Sequence, residues 1–193
     1  MLARVSGVRI LLVATTGSFL LAGTGNASII LFALWPLHDG FMPWQLVTYA
    51  FLHGGFAHLF FNMYGLWMFG TEMENLLGRR VFLRLYFASV LSAAAMQLLV
   101  TMLTGSTYPT VGASGGVFGI LLAYGMCFPK RELMLIFPPV PLPAWLFVTI
   151  YAVLELVLGV TGSQAGVAHF AHLGGMLGGY LVIGNWLRRY RRY

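Results

Sequence analysis

A lone serine, Ser114, sits in the run Gly112-Ala113-Ser114-Gly115-Gly116, and an apolar stretch from Val117 to Phe128 follows at once. Glycines on both sides leave the hydroxyl unshielded and permit backbone angles and close approaches that other residues resist. A helix starting here would aim its free N–H groups at negative charge developing beside the serine. Those are the parts of a nucleophile with an oxyanion site. In a chain with 24 glycines the same run also reads as a small-residue packing patch, so the partners decide. A serine hydroxyl needs a base to take its proton, and neutral imidazole is the usual one. His172 is the candidate base, with His169 one turn away on the same helical face as runner-up. His58 and Asn62 are four apart and share a helical face. With the Ser114 backbone N–H they are the candidate donors to an oxyanion.

The elements that must position these groups follow from composition. The chain is 59% hydrophobic and 8% charged, with a mean hydropathy of +0.83 over 193 residues. No soluble domain of this length could hide that much apolar surface, so the sequence predicts an integral membrane protein. Charged and Gly/Pro-rich breaks divide it into six expected spans, residues 8–25, 57–77, 81–103, 114–128, 144–160 and 166–187. The 11 basic residues then fall on one side, at 4–9, 79–84, 130–131 and 188–192, while the opposite loops carry only Asp39. The positive-inside rule makes the basic side cytoplasmic and places both termini there. This topology accounts for the net charge of +6 without nucleic-acid binding. Arg4 and Arg9 before an apolar Ile10–Ala22 resemble a signal peptide. Removing it would put the arginines out of register with the two sides, so an uncleaved first span is the reading. Cys127 stands alone, which rules out an internal disulfide and suits a packing role.

Depth and contact come from the same arithmetic. Ser114 lies 16 residues before Lys130, about 24 Å of helix against about 30 Å of hydrocarbon, so the serine is expected inside the membrane. His172 lies 16 residues before Arg188, and both helices run in the same direction, so it reaches the same depth. Gly175 and Gly179 share the His172 face, and Gly115 and Gly119 can receive them in a close helix contact. The long outer loop, about residues 26–56, holds Trp35, Trp44, Tyr49, Phe51 and Phe56 and is expected to be partly helical at the interface. Glu72 and Glu74 beside Arg79-Arg80 read as structural anchors. Glu155, roughly 11 residues into its span and about 16 Å from the inner edge, is expected too deep to reach His172. The pair is therefore expected to act as a Ser–His dyad, without a carboxylate. His53, His58, His169 and His172 form no His-Glu-x-x-His pattern, so no metal is expected.

The ordered motifs resemble those of the rhomboid intramembrane serine proteases, in the six-span bacterial form. They are Trp44 with Thr48 and Phe51-Leu52-His53, then His58-x-x-x-Asn62, Glu74 with Gly78, Gly112-x-Ser114-Gly115, and Ala171-His172 with Gly175 and Gly179. The resemblance runs from about Trp35 to Gly179. It implies one rhomboid-type membrane domain over 1–193, an all-α six-helix bundle in a bacterial cell membrane. It also implies a Ser114–His172 dyad, an oxyanion site of His58, Asn62 and the Ser114 amide, and a water-filled cavity open to the outside. Substrates would be single-span membrane proteins entering between spans two and five and cut near their outer ends. No cofactor is expected, because protein groups alone perform such a hydrolysis. Gln45 stands where many members have arginine, and Phe118 where some have a tyrosine against the histidine. Two other classes fit parts of the pattern: a catalytically silent binder of membrane clients, and a small proton-coupled transporter using His58, His172 and Glu155.

Overall fold

The computed structural model describes residues 6–22, 26–134, 139–162 and 166–190. Eight helices and one small ribbon follow in order: α1 (Gly7–Ala22), α2 (Asn26–Phe32), α3 (Gln45–Thr48) running into a 3-10 turn (Tyr49–Phe51), α4 (Phe56–Leu77), α5 (Arg79–Thr104), α6 (Ser114–Cys127), β1 (Glu132–Met134), β2 (Pro141–Pro143), α7 (Ala144–Thr161) and α8 (His169–Tyr190). The six long helices α1, α4, α5, α6, α7 and α8 fall on the six apolar stretches of the sequence. Residues 23–25 of the first stretch lie outside the described residues. The last helix begins at His169 rather than 166, because the chain turns at Gly166 with φ +95°.

The all-α expectation needs one correction. In the linker after α6, β1 and β2 pair antiparallel, with Glu132 opposite Pro143 and Met134 opposite Pro141. Proline has no N–H for a helix interior, but it is tolerated on an edge strand, and a two-stranded ribbon has only edges.

Residues of α7 are arranged inside-out for water. Its carboxylate, Glu155, is 7% exposed, whereas Ile150, Val153, Leu154, Val157 and Val160 lie open on the surface. An apolar surround makes that distribution favourable, since exposed apolar area there costs nothing and a charge must face protein. Both α5 and α7 are long and apolar enough to cross a membrane, and α1 and α6 are shorter apolar helices.

Helix α6 lies at the centre, against α4, α5, α7 and α8. Its approach to α8 is set by backbone rather than side chains. A Cβ on Gly175 would land on the Gly115 carbonyl, and one on Gly179 would come within 2.5 Å of the Gly119 carbonyl oxygen. The doubled glycines of α8 divide between two neighbours. Gly174 and Gly178 face α5, where added Cβ atoms would meet Met96 Cβ at 2.5 Å and the Ala88 carbonyl oxygen at 2.6 Å. So α8 has no room for a methyl group on either of two faces. At the other end of the bundle, Glu74 of α4 closes the start of α1. Its carboxylate accepts from the Gly7 N–H at 2.6 Å, the Val8 N–H at 2.9 Å and the Ser6 hydroxyl at 2.6 Å, which satisfies N–H groups that a helix start leaves unpaired.

A Gly175→Ala change is expected to force α6 and α8 apart. It should cost about 1–3 kcal/mol, the usual range for overpacking, read as a lower thermal midpoint of the purified protein. Gly184→Ala on the same helix has open space around its Cβ and should leave the midpoint unchanged or slightly raised. Equal midpoints for both variants would contradict the close contact.

Candidate active site

The loop from α5 to α6 is fixed at three backbone points before the serine appears. Thr110 exchanges two hydrogen bonds with Leu34, both 2.9 Å, and the Gly112 N–H donates to the Tyr49 carbonyl at 3.0 Å. The Ala113 N–H points at His53 Nε2, 3.4 Å away. Burial, with the neighbouring His58 adding to it, lowers the His53 pKa to about 4, so its ring is neutral near pH 7 and able to accept. Gly112 has φ +129°, a conformation that side chains resist. Its Cα face packs so close to His58 that an added Cβ would sit 2.8 Å from the ring.

Support for this loop comes from the segment between α1 and α4. The buried Tyr49 hydroxyl donates to the Val90 carbonyl of α5 at 2.8 Å. Gln45 is fully buried, and its side-chain oxygen accepts from the Trp35 N–H at 3.2 Å and the Met42 N–H at 3.1 Å. Glutamine thus ties together two turns of the segment. Trp44 and Thr48 reinforce it by donating to the carbonyls of Leu31 and Phe32.

Helix α6 starts at Ser114, and its first backbone bond runs from the Val117 N–H to the Ala113 carbonyl. The N–H groups of Ser114, Gly115 and Gly116 therefore have no partner within the helix. The glycine contact with α8 sets His172 opposite the serine, with His172 Nε2 2.8 Å from Ser114 Oγ. Phe118 stacks flat on the imidazole, at 4.3 Å between centroids and 6° between planes. The ring is thus clamped on one face, and phenylalanine is sufficient for that.

Ser114, His172, His58 and Asn62 all line one cavity of about 830 Å3. It extends between α4 and α7, past Phe61 and Tyr64 on one side and Phe147 and Tyr151 on the other. One amide hydrogen of Asn62 goes to the His58 carbonyl at 2.9 Å, and the residue itself lines the cavity. The candidate residues are therefore brought together. His169 is not among them: its Nδ1 lies 2.7 Å from Glu155.

The expectation that Glu155 lies out of reach is wrong. His172 Nδ1 is 2.9 Å from Glu155 Oε2, the same oxygen that meets His169. Only a common inner edge for both helices would put Glu155 too deep for His172. Gly159 of α7 packs on His169 and Phe170 of α8, a register that brings Glu155, one turn back along α7, alongside His172, and the long side chains span what remains. The three atoms come near enough for a shared ion, but their spacing argues for hydrogen bonds. Ligands on one tetrahedral zinc, with bonds of about 2.0 Å, sit about 3.3 Å apart, whereas these pairs are at 2.7 and 2.9 Å.

A model of the rhomboid domain family matches residues 40–189. The mitochondrial rhomboid protein 1 of Saccharomyces cerevisiae is 33% identical over 71% of this chain and 40% of its own length. Rhomboid protease GluP of Bacillus subtilis is 31% identical over 72% of this chain and 25% of its own. The mitochondrial presenilin-associated rhomboid-like protein A of Danio rerio is 34% identical over 72% and 36%. The chain thus spans two fifths or less of the length of these relatives.

Gly112→Ala would add a methyl group at a strained φ and against the His58 ring. The expected outcome is a folded, helical protein whose Ser114 reacts with a fluorophosphonate at least about tenfold more slowly, within the range that positioning contributes. A wild-type rate in that variant would show that the loop does not set the serine.

Proposed function

The chain belongs to the rhomboid family of integral membrane proteins, and on that premise we propose that it is an intramembrane serine endopeptidase acting through Ser114 and His172. The single observation that carries this reading is the 2.8 Å contact between His172 Nε2 and Ser114 Oγ, at the wall of a cavity. One of the relatives, from Bacillus subtilis, is named a protease.

In this mechanism His172 Nε2 takes the hydroxyl proton as Ser114 Oγ attacks a peptide carbonyl carbon. The carbonyl oxygen becomes an oxyanion facing the free N–H of Ser114, with Asn62 and His58 as further donors across the cavity. Preorganised donors of this kind are usually the largest single contribution to such a reaction. The C–N bond then breaks, and the proton on Nε2 passes to the leaving amine. Water, deprotonated by the same nitrogen, releases the acyl group from Oγ. Substrates are single-span membrane proteins, and the gap between α4 and α7 is their lateral entrance. Small, helix-weakening residues near the outer end of a span favour cleavage, because helical peptide bonds are hydrogen-bonded along the helix and must open first. The same reading carries the finer topology of six spans, a cytoplasmic location for both termini and the outer placement of the segment 26–56. The host would be a bacterial cell membrane.

A fluorophosphonate reports the activated serine without a known substrate. Intact mass should show one adduct on the detergent-purified wild type and none on Ser114→Ala. His172→Ala should label about 10²–10⁴-fold more slowly, the usual worth of a general base. Asn62→Ala should retain labelling but lose about tenfold or more. Equal adducts on wild type and Ser114→Ala would place the reactive group elsewhere. A folded wild type that never labels would favour the silent-binder alternative.

A further inference from the structure

Among the described residues Glu155 is the one buried carboxylate, and one of its oxygens meets two imidazoles. It is 7% exposed, with His169 at 5% and His172 at 9%. A carboxylate oxygen only accepts hydrogen bonds. The contacts at 2.7 and 2.9 Å therefore require a proton on Nδ1 of both rings. For His172 this has a chemical consequence, because the bond made by one ring nitrogen decides what the other can do. With Nδ1 protonated, Nε2 carries the lone pair, and Nε2 is the nitrogen facing Ser114 Oγ. The opposite tautomer would present an N–H to the serine and could take no proton from it.

We infer that Glu155 is a positioning residue that holds His172 in the base-competent tautomer and lies next to the positive charge formed when Nε2 takes the serine proton. The inference rests on Ser114 being the nucleophile and adds a third member to the Ser–His pair. His169 has a distinct part. Its Nδ1–H gives the carboxylate a second donor, while its Nε2 is buried without a partner. It touches neither the serine nor the cavity, so its role is to fix Glu155. A buried carboxylate with two N–H donors loses less on leaving water than one with a single donor. Orientation of His172 is then fixed on two sides, by Glu155 at the ring edge and by Phe118 on the ring face.

The test compares wild type with Glu155→Leu, which keeps the bulk and removes every acceptor, and Glu155→Gln, which keeps one acceptor oxygen and removes the charge. Two readouts are taken in detergent. One is the rate of fluorophosphonate labelling at Ser114. The other is the histidine tautomer seen by nitrogen-15 NMR, assigned with His169→Asn and His172→Ala. Glu155→Leu is expected to label about 100-fold or more slowly, within the usual span of general-base catalysis, and His172 is expected to lose its Nδ1-protonated signature. Glu155→Gln should fall between the two. A role in packing alone would leave His172 protonated on Nδ1 in both variants. Labelling of both variants within about twofold of wild type, with His172 still protonated on Nδ1, would overturn the inference and leave the nucleophile in place. Should Glu155→Leu fail to fold, Glu155→Gln alone decides: a wild-type rate and tautomer overturns the inference. A wild type that does not label at Ser114 fails the underlying reading instead.

Discussion

The structure depends on how closely two helix backbones approach. Gly175 and Gly179 of α8 lie directly on the carbonyls of Gly115 and Gly119 in α6. In a membrane the hydrophobic effect does not drive helices together, so packing and small residues must do it. This contact brings an imidazole nitrogen and a serine hydroxyl within hydrogen-bonding distance across two helices. It also limits the error: a shift equal to one methyl group would separate them. The doubled glycines of α8 extend the constraint to α5, so the histidine helix is held on two sides and only its orientation about the ring remains to be set.

That remaining freedom is removed by groups of opposite character. Phe118 covers the ring face with an apolar surface, and Glu155 meets its edge with a charge. The carboxylate in turn depends on being buried away from lipid, which is why α7 turns its apolar residues outward and its one acid inward. The loop before the serine is held by a separate set of bonds, through Leu34, Tyr49 and His53. Two independent supports thus meet at Ser114 Oγ, one from the loop and one from α8.

Much of this was legible in the sequence. Apolar runs interrupted by arginines, glycines and prolines marked the six long helices, because a helix in an apolar surround must be apolar along most of its length. The Ser114–His172 pair was legible from equal distances to basic residues on parallel helices. The reach of Glu155 to His172 was not legible, because the register between α7 and α8 leaves no trace in either helix alone. The parts played by Tyr49, Gln45 and His53 were hidden for a similar reason, since their bonds join segments far apart in the chain. Only the buried position expected of a carboxylate in an apolar helix pointed to Glu155 at all. The ribbon after α6 was hidden by its prolines, which signal a linker more readily than a strand.

The measurement that tests the central claim most directly is a crystal structure of the protein after reaction with a fluorophosphonate. The account predicts continuous density from Ser114 Oγ to phosphorus. It places the phosphoryl oxygen within about 3 Å of the Ser114 N–H and of a donor from Asn62 or His58, the distance an oxyanion donor keeps. His172 should remain stacked on Phe118 and bonded to Glu155. Phosphorus on any other side chain, or a phosphoryl oxygen turned away from the start of α6, would contradict the account.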